Sequence, residues 1–290
     1  MSGETKVQTH PQKETPWIDA WIRWDRDTHG TDDDDGFNDN VENESPPVAA
    51  TDTFSFHYHG TIDQPDIDIE LRGFPSDSEQ TWNSTGLTLW RSSEHLCDCL
   101  VKEWRKGSTT ANLFTENKRF LEVGSGLGRS GILAFHCLSS LMGPSDEEQN
   151  KLLCLTDGDT DVLHQLRNNL QHNQPESTDE GPNVALKCTQ LLWGRDRAIE
   201  FLQRADNKKF DVLFGSDLIY VKKVINPLFE TVSTLLEDSG CFIMAHCARR
   251  QGNEVTMSMV FDAALSFGFE HKVIEEDQDV SVVVFRRKHN

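Results

Sequence analysis

From residue 84 onward, short apolar runs alternate with amphipathic stretches of helical period. The runs predict strands at 119–124, 152–157, 185–191, 211–217 and 241–247. Apolar positions spaced three and four apart predict helices at about 90–105, 129–142, 159–173, 196–205 and 221–237. A further helix at about 251–267 leads into a last pair of strands, 269–275 and 280–287. Strands and helices in alternation form a mostly parallel sheet with helices on both faces. The expected fold class is therefore α/β: a doubly wound, mostly parallel seven-stranded sheet. Two polar stretches, 143–150 and 174–183, read as surface loops that lengthen the usual connections.

Upstream of this domain, residues 53–59 and 66–72 alternate like two strands, with Gly60 and Pro65 marking the connection, and predict a β-hairpin. His57 and His59 fall on one face of the first strand. They could supply two metal ligands but the strand offers no third, so they read as solvated histidines and no metal site is expected. Residues 1–52 hold four basic residues (Lys6, Lys13, Arg23 and Arg26) against a large acidic excess that includes the run Asp32 to Asp35. Such a segment buries too little apolar surface to offset its ordering entropy and is expected to be mostly disordered. Within it, Trp17, Ile18, Trp21, Ile22 and Trp24 have the spacing of a short amphipathic helix, which either docks on the chain's own domain or binds a partner. The expected organisation is an acidic tail (1–52), a hairpin extension (53–83) and an α/β domain (84–290).

Composition narrows the classes. A formal charge of −20 opposes binding through nucleic-acid phosphates, which depends on clustered Lys and Arg. No apolar run reaches the length that spans a bilayer, and Met1 to Gln12 lack a signal-peptide pattern. The chain is expected in the cytoplasm, with the nucleus also open. Seven cysteines, an odd number scattered through predicted strands and helices, fit buried thiols better than a disulfide framework. Cys97 and Cys99 form C-x-C without a second pair at metal-ligand spacing.

The strongest local signal is Phe120-Leu121-Glu122-Val123-Gly124-Ser125-Gly126-Leu127-Gly128, a buried strand entering a glycine-rich turn, then a helical run from Ser130 to Leu141. Glycines there let a ligand approach the backbone closely. Two cofactor chemistries fit. Gly126-x-Gly128-x-x-Gly131 also satisfies the dinucleotide fingerprint, which expects an acid about 20 residues further on. The acid ending the next strand, Asp157, lies 31 residues past Gly126, an excess that the polar loop before it could absorb. Spacing alone leaves both open.

The order of later motifs decides. Glu122, two positions before the first glycine of G-x-G-x-G, resembles the first motif of class I, seven-stranded methyltransferases. Asp157 precedes Leu163, Leu166, Asn169 and Asn173, similar to the T-D-x-x-x-x-x-L-x-x-L-x-x-N run of the seven-stranded protein lysine methyltransferases, the group that includes the calmodulin-lysine and valosin-containing-protein-lysine enzymes. Leu192-Trp193-Gly194 resembles that family's L-x-W element, Asp217-Leu218-Ile219-Tyr220 its D-x-x-Y motif, and Gly86 to Trp90 its G-x-x-x-W segment. The resemblance covers about residues 84–287, with two long insertions and Ser216 in place of the family's common alanine as departures.

That resemblance implies an S-adenosylmethionine-dependent N-methyltransferase acting on a lysine of a protein substrate. Its cofactor contacts would be Trp90, Glu122, Gly124, Ser125, Gly126, Gly128, Asp157, Trp193 and Ser216, with Asp217 and Tyr220 at the acceptor. Asp217 is also suited to cap a helix over Leu218 to Leu228. A nucleobase methyltransferase would carry [D/N]-P-P-[Y/F] here, whereas the middle residues are Leu218 and Ile219. Protein histidine or small-molecule amine methylation, and a binding module that has lost catalysis, stay open. The chain is expected to be monomeric, with no membrane or nucleic-acid partner.

Overall fold

The computed structural model describes residues 49–107, 112–141, 151–174, 184–247 and 255–288. The Trp17–Trp24 segment, the acidic tail before residue 49, loop 143–150 and nearly all of 174–183 lie outside the described residues. No described helix is long and apolar enough to cross a membrane.

Two strands, β1 (Asp52–Tyr58) and β2 (Ile67–Gly73), pair antiparallel as the predicted hairpin, with Tyr58 opposite Ile67. Seven more form one sheet: β3 (Arg119–Val123), β4 (Lys151–Asp157), β5 (Val184–Gln190), β6 (Phe210–Ser216), β7 (Leu236–Cys247), β8 (Phe269–Asp277) and β9 (Val280–Arg287). Their spatial order is β5-β4-β3-β6-β7-β9-β8. The first five run parallel, and β9 inserts antiparallel between β7 and β8. The order reverses between β3 and β6, which opens a crevice at their carboxyl ends.

The described helices are α1 (Glu79–Asn83), α2 (Ser92–Trp104), α3 (Leu113–Glu116), α4 (Arg129–Ser140), α5 (Thr160–His172), α6 (Arg195–Arg204), α7 (Ile225–Leu235) and α8 (Met257–Ser266). On one face, Phe229 of α7 packs its ring against Phe242, Phe269 and Phe285, whose centroids lie 5.4–6.4 Å away. Leu121, Leu213 and Met244 extend this fully buried cluster along the strands. Beside α4, Trp104 of α2 is wholly buried and gives its indole N–H to Ser140 Oγ at 2.8 Å. A buried indole without such an acceptor would leave its donor desolvated and unpaired.

Two differences from the sequence reading have physical causes. β7 begins at Leu236, directly after α7, and not at 241. Asp238, Ser239 and Gly240 resemble a turn but form an irregularity, across which the pairing passes from Phe210–Leu236 to Val212–Cys241. The helix expected from 221 begins as a single 3-10 turn at Lys222–Val224 and becomes α-helical only at Ile225. Asp217 therefore caps no helix, which corrects the capping role offered by the sequence.

The hairpin is fastened to the domain by two asparagines, Asn169 of the L-x-x-L-x-x-N run and Asn173 one turn beyond it. Asn169 is 1% exposed; its Oδ1 accepts the Arg72 N–H at 2.9 Å, and its Nδ2 donates to Arg72 O at 3.1 Å and Leu127 O at 3.0 Å. Asn173 repeats the clamp on Glu70, accepting its N–H at 2.9 Å and donating to its carbonyl at 2.7 Å. One α-helix thus satisfies the outer edge of β2 through side-chain amides instead of another strand. Asn169→Ala is expected to lower unfolding stability by about 2–4 kcal/mol, because several buried groups lose partners together. Asn173→Ala, at a less buried position, should cost about 1–2 kcal/mol. Urea unfolding of both variants checks this, and a smaller loss at Asn169 than at Asn173 would contradict the clamp.

Candidate active site

The site is assembled from strand ends at the crevice. After β3 the chain turns through Gly124, Gly126 and Gly128 at φ of +62°, +54° and +90°. At Gly124 the φ favours glycine, and a Cβ would lie 2.8 Å from Leu218 Cδ2, so that this side-chain end would have to shift, and 3.5 Å from Trp193 Cζ2. The carbonyl of Gly86 closes on the same turn, 3.2 Å from where a Cβ of Gly126 would stand. Gly86, the 124–128 turn and Trp193, which the sequence reading assigned to one site, are therefore brought together, with Leu218 of the D-x-x-Y motif beside them.

The turn is pinned to β4. Ser125 donates its N–H to Thr156 O at 2.8 Å, and Thr156 donates its N–H to Ser125 Oγ at 3.0 Å. The Thr156 hydroxyl closes the set on Glu122 O at 2.7 Å. Asp157 Oδ2 accepts the Gly126 N–H and its Oδ1 the Asp159 N–H, both at 3.1 Å. These bonds leave the carboxylate with capacity to accept a ligand hydroxyl. Burial raises the Asp157 carboxyl above its usual range, against the N–H donors of Asp159, Gly126 and Gly158 that favour the charged form. Asp159 has a separate task, since its Oδ1 caps α5 through the Asp161 N–H at 2.9 Å.

Trp90 is half-buried and gives its indole N–H to Thr85 O at 2.8 Å, which fixes the ring to the segment before it. At the end of β6, Ser216 is half-buried opposite Ala245, and Asp217, the next residue, donates its N–H to Ala245 O at 3.0 Å. Asp217 sits at φ +51°, a left-handed conformation that costs a non-glycine residue roughly 1 kcal/mol or more. Tyr220 follows at 41% exposure, on the rim.

Sequence reasoning missed His246, one step beyond Ala245 in β7. It is 1% exposed and neither ring nitrogen has a hydrogen-bond partner. Burial lowers its pKa, and the nearby Asp217 charge opposes that shift. A histidine at the end of an apolar run carries no spacing signal that would have found it. A pocket of about 490 Å³ lies elsewhere, lined by Phe56, His57, Glu70, His136, His172 and Asn173 among others, and shares no residue with the crevice.

Comparison with known proteins fixes the family. A sequence profile described as lysine methyltransferase matches residues 76–263. The chain belongs to that family. The mouse protein named EEF1A lysine methyltransferase 3 is 24% identical over 201 residues, 69% of this chain and 71% of that protein. A protein-lysine N-methyltransferase, EFM3, of Chaetomium thermophilum is 28% identical over 179 residues, 61% of this chain but 46% of its own length. Among solved structures, the ribosomal protein L11 methylase of Lactobacillus delbrueckii subsp. bulgaricus is 17% identical with a TM-score of 0.43, covering 70% of this chain and 81% of that one. An O-methyltransferase family protein of Burkholderia thailandensis is 12% identical with a TM-score of 0.47, covering 73% and 61%. Membership makes this chain an S-adenosylmethionine-dependent protein-lysine N-methyltransferase.

In this lysine methyltransferase the acid of the first motif stands under the turn. Glu122 is 1% exposed, and a Cβ on Gly131 would come within 2.4 Å of its Oε2, so the helix start leaves room for the carboxyl only because residue 131 is glycine. Oε2 has no hydrogen-bond partner of good geometry, although Ser125, Ser130 and the Gly131 N–H lie near enough to favour its charged form. Burial prevails and pushes the carboxyl up to about 7. A raised carboxyl pKa means that the folded state holds a proton the unfolded state has lost, so stability falls as pH rises from about 4.5 to about 7. Glu122→Gln removes that titration. Its stability relative to the parent should grow by about 3 kcal/mol between pH 5 and pH 8, and denaturant unfolding at the two pH values measures it. A difference that stays flat or shrinks would contradict a protonated Glu122.

Proposed function

We propose that Gly124, Ser125, Gly126, Gly128, Asp157, Trp193, Trp90 and Ser216 hold S-adenosylmethionine, and that Asp217 and Tyr220 receive the acceptor lysine. The observation that carries this reading is the convergence on Gly124: Trp193 and Leu218 both lie within contact distance of where its Cβ would be. The ring that would flank the cofactor and the motif that would receive the acceptor thereby meet at one point of the turn.

The residues present suit the cofactor. Asp157 retains acceptor capacity for a ribose hydroxyl, the left-handed glycines of the 124–128 turn let a methionyl group approach the backbone closely, and Trp193 offers a flat apolar wall. Glu122, below the turn, supports it without an open face toward a ligand. Bound S-adenosylmethionine supplies an activated methyl group on a sulfonium. The chain supplies alignment and exclusion of water.

A lysine amine, with reference pKa about 10.4, costs about 4–5 kcal/mol to deprotonate at neutral pH. Asp217 draws in the ammonium and aims it, and its charge also raises the amine's pKa, so the proton leaves to solvent as the site closes. His246, kept neutral by burial, adds no positive charge beside Asp217 to repel the incoming ammonium. Tyr220 walls the mouth. A protein surface presenting a lysine is the partner, the chain acts as a monomer, and the charge of −20 disfavours nucleic-acid acceptors.

S-adenosylmethionine or its demethylated product should raise the melting temperature and NAD should not; stabilisation by NAD alone would overturn the cofactor assignment. Asp157→Ala should weaken cofactor binding by about 1–3 kcal/mol, measured by calorimetric titration, with an unchanged affinity placing the ribose contact elsewhere. Asp217→Ala should leave cofactor affinity nearly unchanged while methyl transfer falls about 100-fold or more. Asp217→Asn keeps a side chain that tolerates the left-handed backbone and removes only the charge. Its transfer rate should fall comparably, and retained activity would remove Asp217 from the acceptor site.

A further inference from the structure

The hairpin carries a cluster that lies outside the methyl-transfer site. His57 and His59 project from the end of β1 and just beyond it, and Asp66 from the return toward β2, so the chain reversal at 60–65 delivers the third donor that the first strand alone lacks. His57 Nε2 lies 3.1 Å from His59 Nδ1 and 3.4 Å from Asp66 Oδ2, and His59 Nδ1 lies 3.8 Å from that same oxygen. A point equidistant from three atoms so separated is about 2.0 Å from each, which is the length of Zn–N and Zn–O bonds.

The surroundings hold these donors in place. His57 pairs its other nitrogen, Nδ1, with Asp68 Oδ1 at 2.7 Å, the carboxylate–histidine arrangement that leaves Nε2 as the lone-pair donor and strengthens it. Asp66 spends its second oxygen, Oδ1, on the Gly60 N–H at 2.8 Å, which aims Oδ2 at the histidines. The His59 carbonyl accepts two bonds from the Arg105 guanidinium at 2.9 and 3.1 Å. Gln64, 7% exposed, anchors the reversal by donating to Trp104 O at 2.6 Å. The ladder sets His57 opposite Asp68 and Tyr58 opposite Ile67. A chance group of surface side chains has no reason to be fixed from both strands and from the end of α2.

We propose that His57, His59 and Asp66 form a zinc site on the hairpin, with Asp68 as the hydrogen-bonded support of His57. Two imidazoles and one carboxylate suit Zn2+ better than Ca2+ or Mg2+, which prefer all-oxygen shells. Three protein donors leave a fourth position for water or for a donor from another molecule. The side chains are 44%, 76% and 54% exposed, so the ion would stay accessible to solvent and chelators.

The full chain, freed of metal with a chelator and then dialysed against micromolar Zn2+, tests this by metal analysis. One zinc per chain is expected, and His59→Ala, His57→Ala and Asp66→Asn should each lose it while circular dichroism shows the fold unchanged. Asp68→Asn should weaken binding about 10–100-fold. Co2+ in place of zinc should give weak visible bands from nitrogen and oxygen donors. Failure to retain zinc, the same stoichiometry in His59→Ala, or an intense near-ultraviolet thiolate band that moves the metal to the cysteines would each overturn the proposal. None of these readouts involves methyl transfer, so the site stands or falls apart from the active-site assignment.

Discussion

The Asp157 carboxylate binds two backbone N–H groups from different turns, Gly126 after β3 and Asp159 after β4. Neighbouring parallel strands leave their carboxyl ends unjoined, and a turn of left-handed glycines has little stiffness of its own. The carboxylate, with the reciprocal bonds between Ser125 and Thr156, makes the two ends one rigid floor. Glu122 lies beneath that floor, Gly86 and Trp193 close over it, and the crevice beside it faces β6. A site of this kind needs few acid–base groups and much positional precision, because the transferred methyl comes already activated.

The proposed acceptor side has a different character. Asp217 is held in a left-handed conformation at the end of a central strand with no helix to cap, so backbone strain there has no compensating capping bond. Its neighbour His246 is buried and unpartnered. Unrelieved strain and an unsatisfied ring beside one carboxylate are the features expected where a structure is shaped for a ligand and gives up some stability to be so. The Asn169 and Asn173 clamps are the opposite case: every amide group bonds to backbone, and the result is attachment of the hairpin.

Most of the sheet could be read from the chain because its strands are continuous apolar runs separated by helices of clear period. The motifs at Gly124–Gly128, Asp157, Trp193 and Asp217 were legible as well, since each places an uncommon residue at a strand end. What escaped depends on three-dimensional approach. The D-S-G triplet inside β7 looks like a turn until its pairing with β6 is seen, and α1 and α3 are too short to show a period. Burial of Glu122 needs the position of Gly131, and Asp66 joins the hairpin histidines only after the chain reverses at Gly60. The role of Asn169 differs from what a position in a family motif suggests, for it binds the Arg72 and Leu127 backbone.

The central claim, that this crevice transfers methyl groups to protein lysine, is tested most directly by identifying the modified atom. The purified chain is incubated with cell extract and methyl-labelled S-adenosylmethionine, and labelled products are separated and sequenced by mass spectrometry. The account predicts label on the side-chain amine of lysine in protein, in a reaction that needs the intact chain. Label confined to histidine, to nucleic acid or to small amines would contradict it.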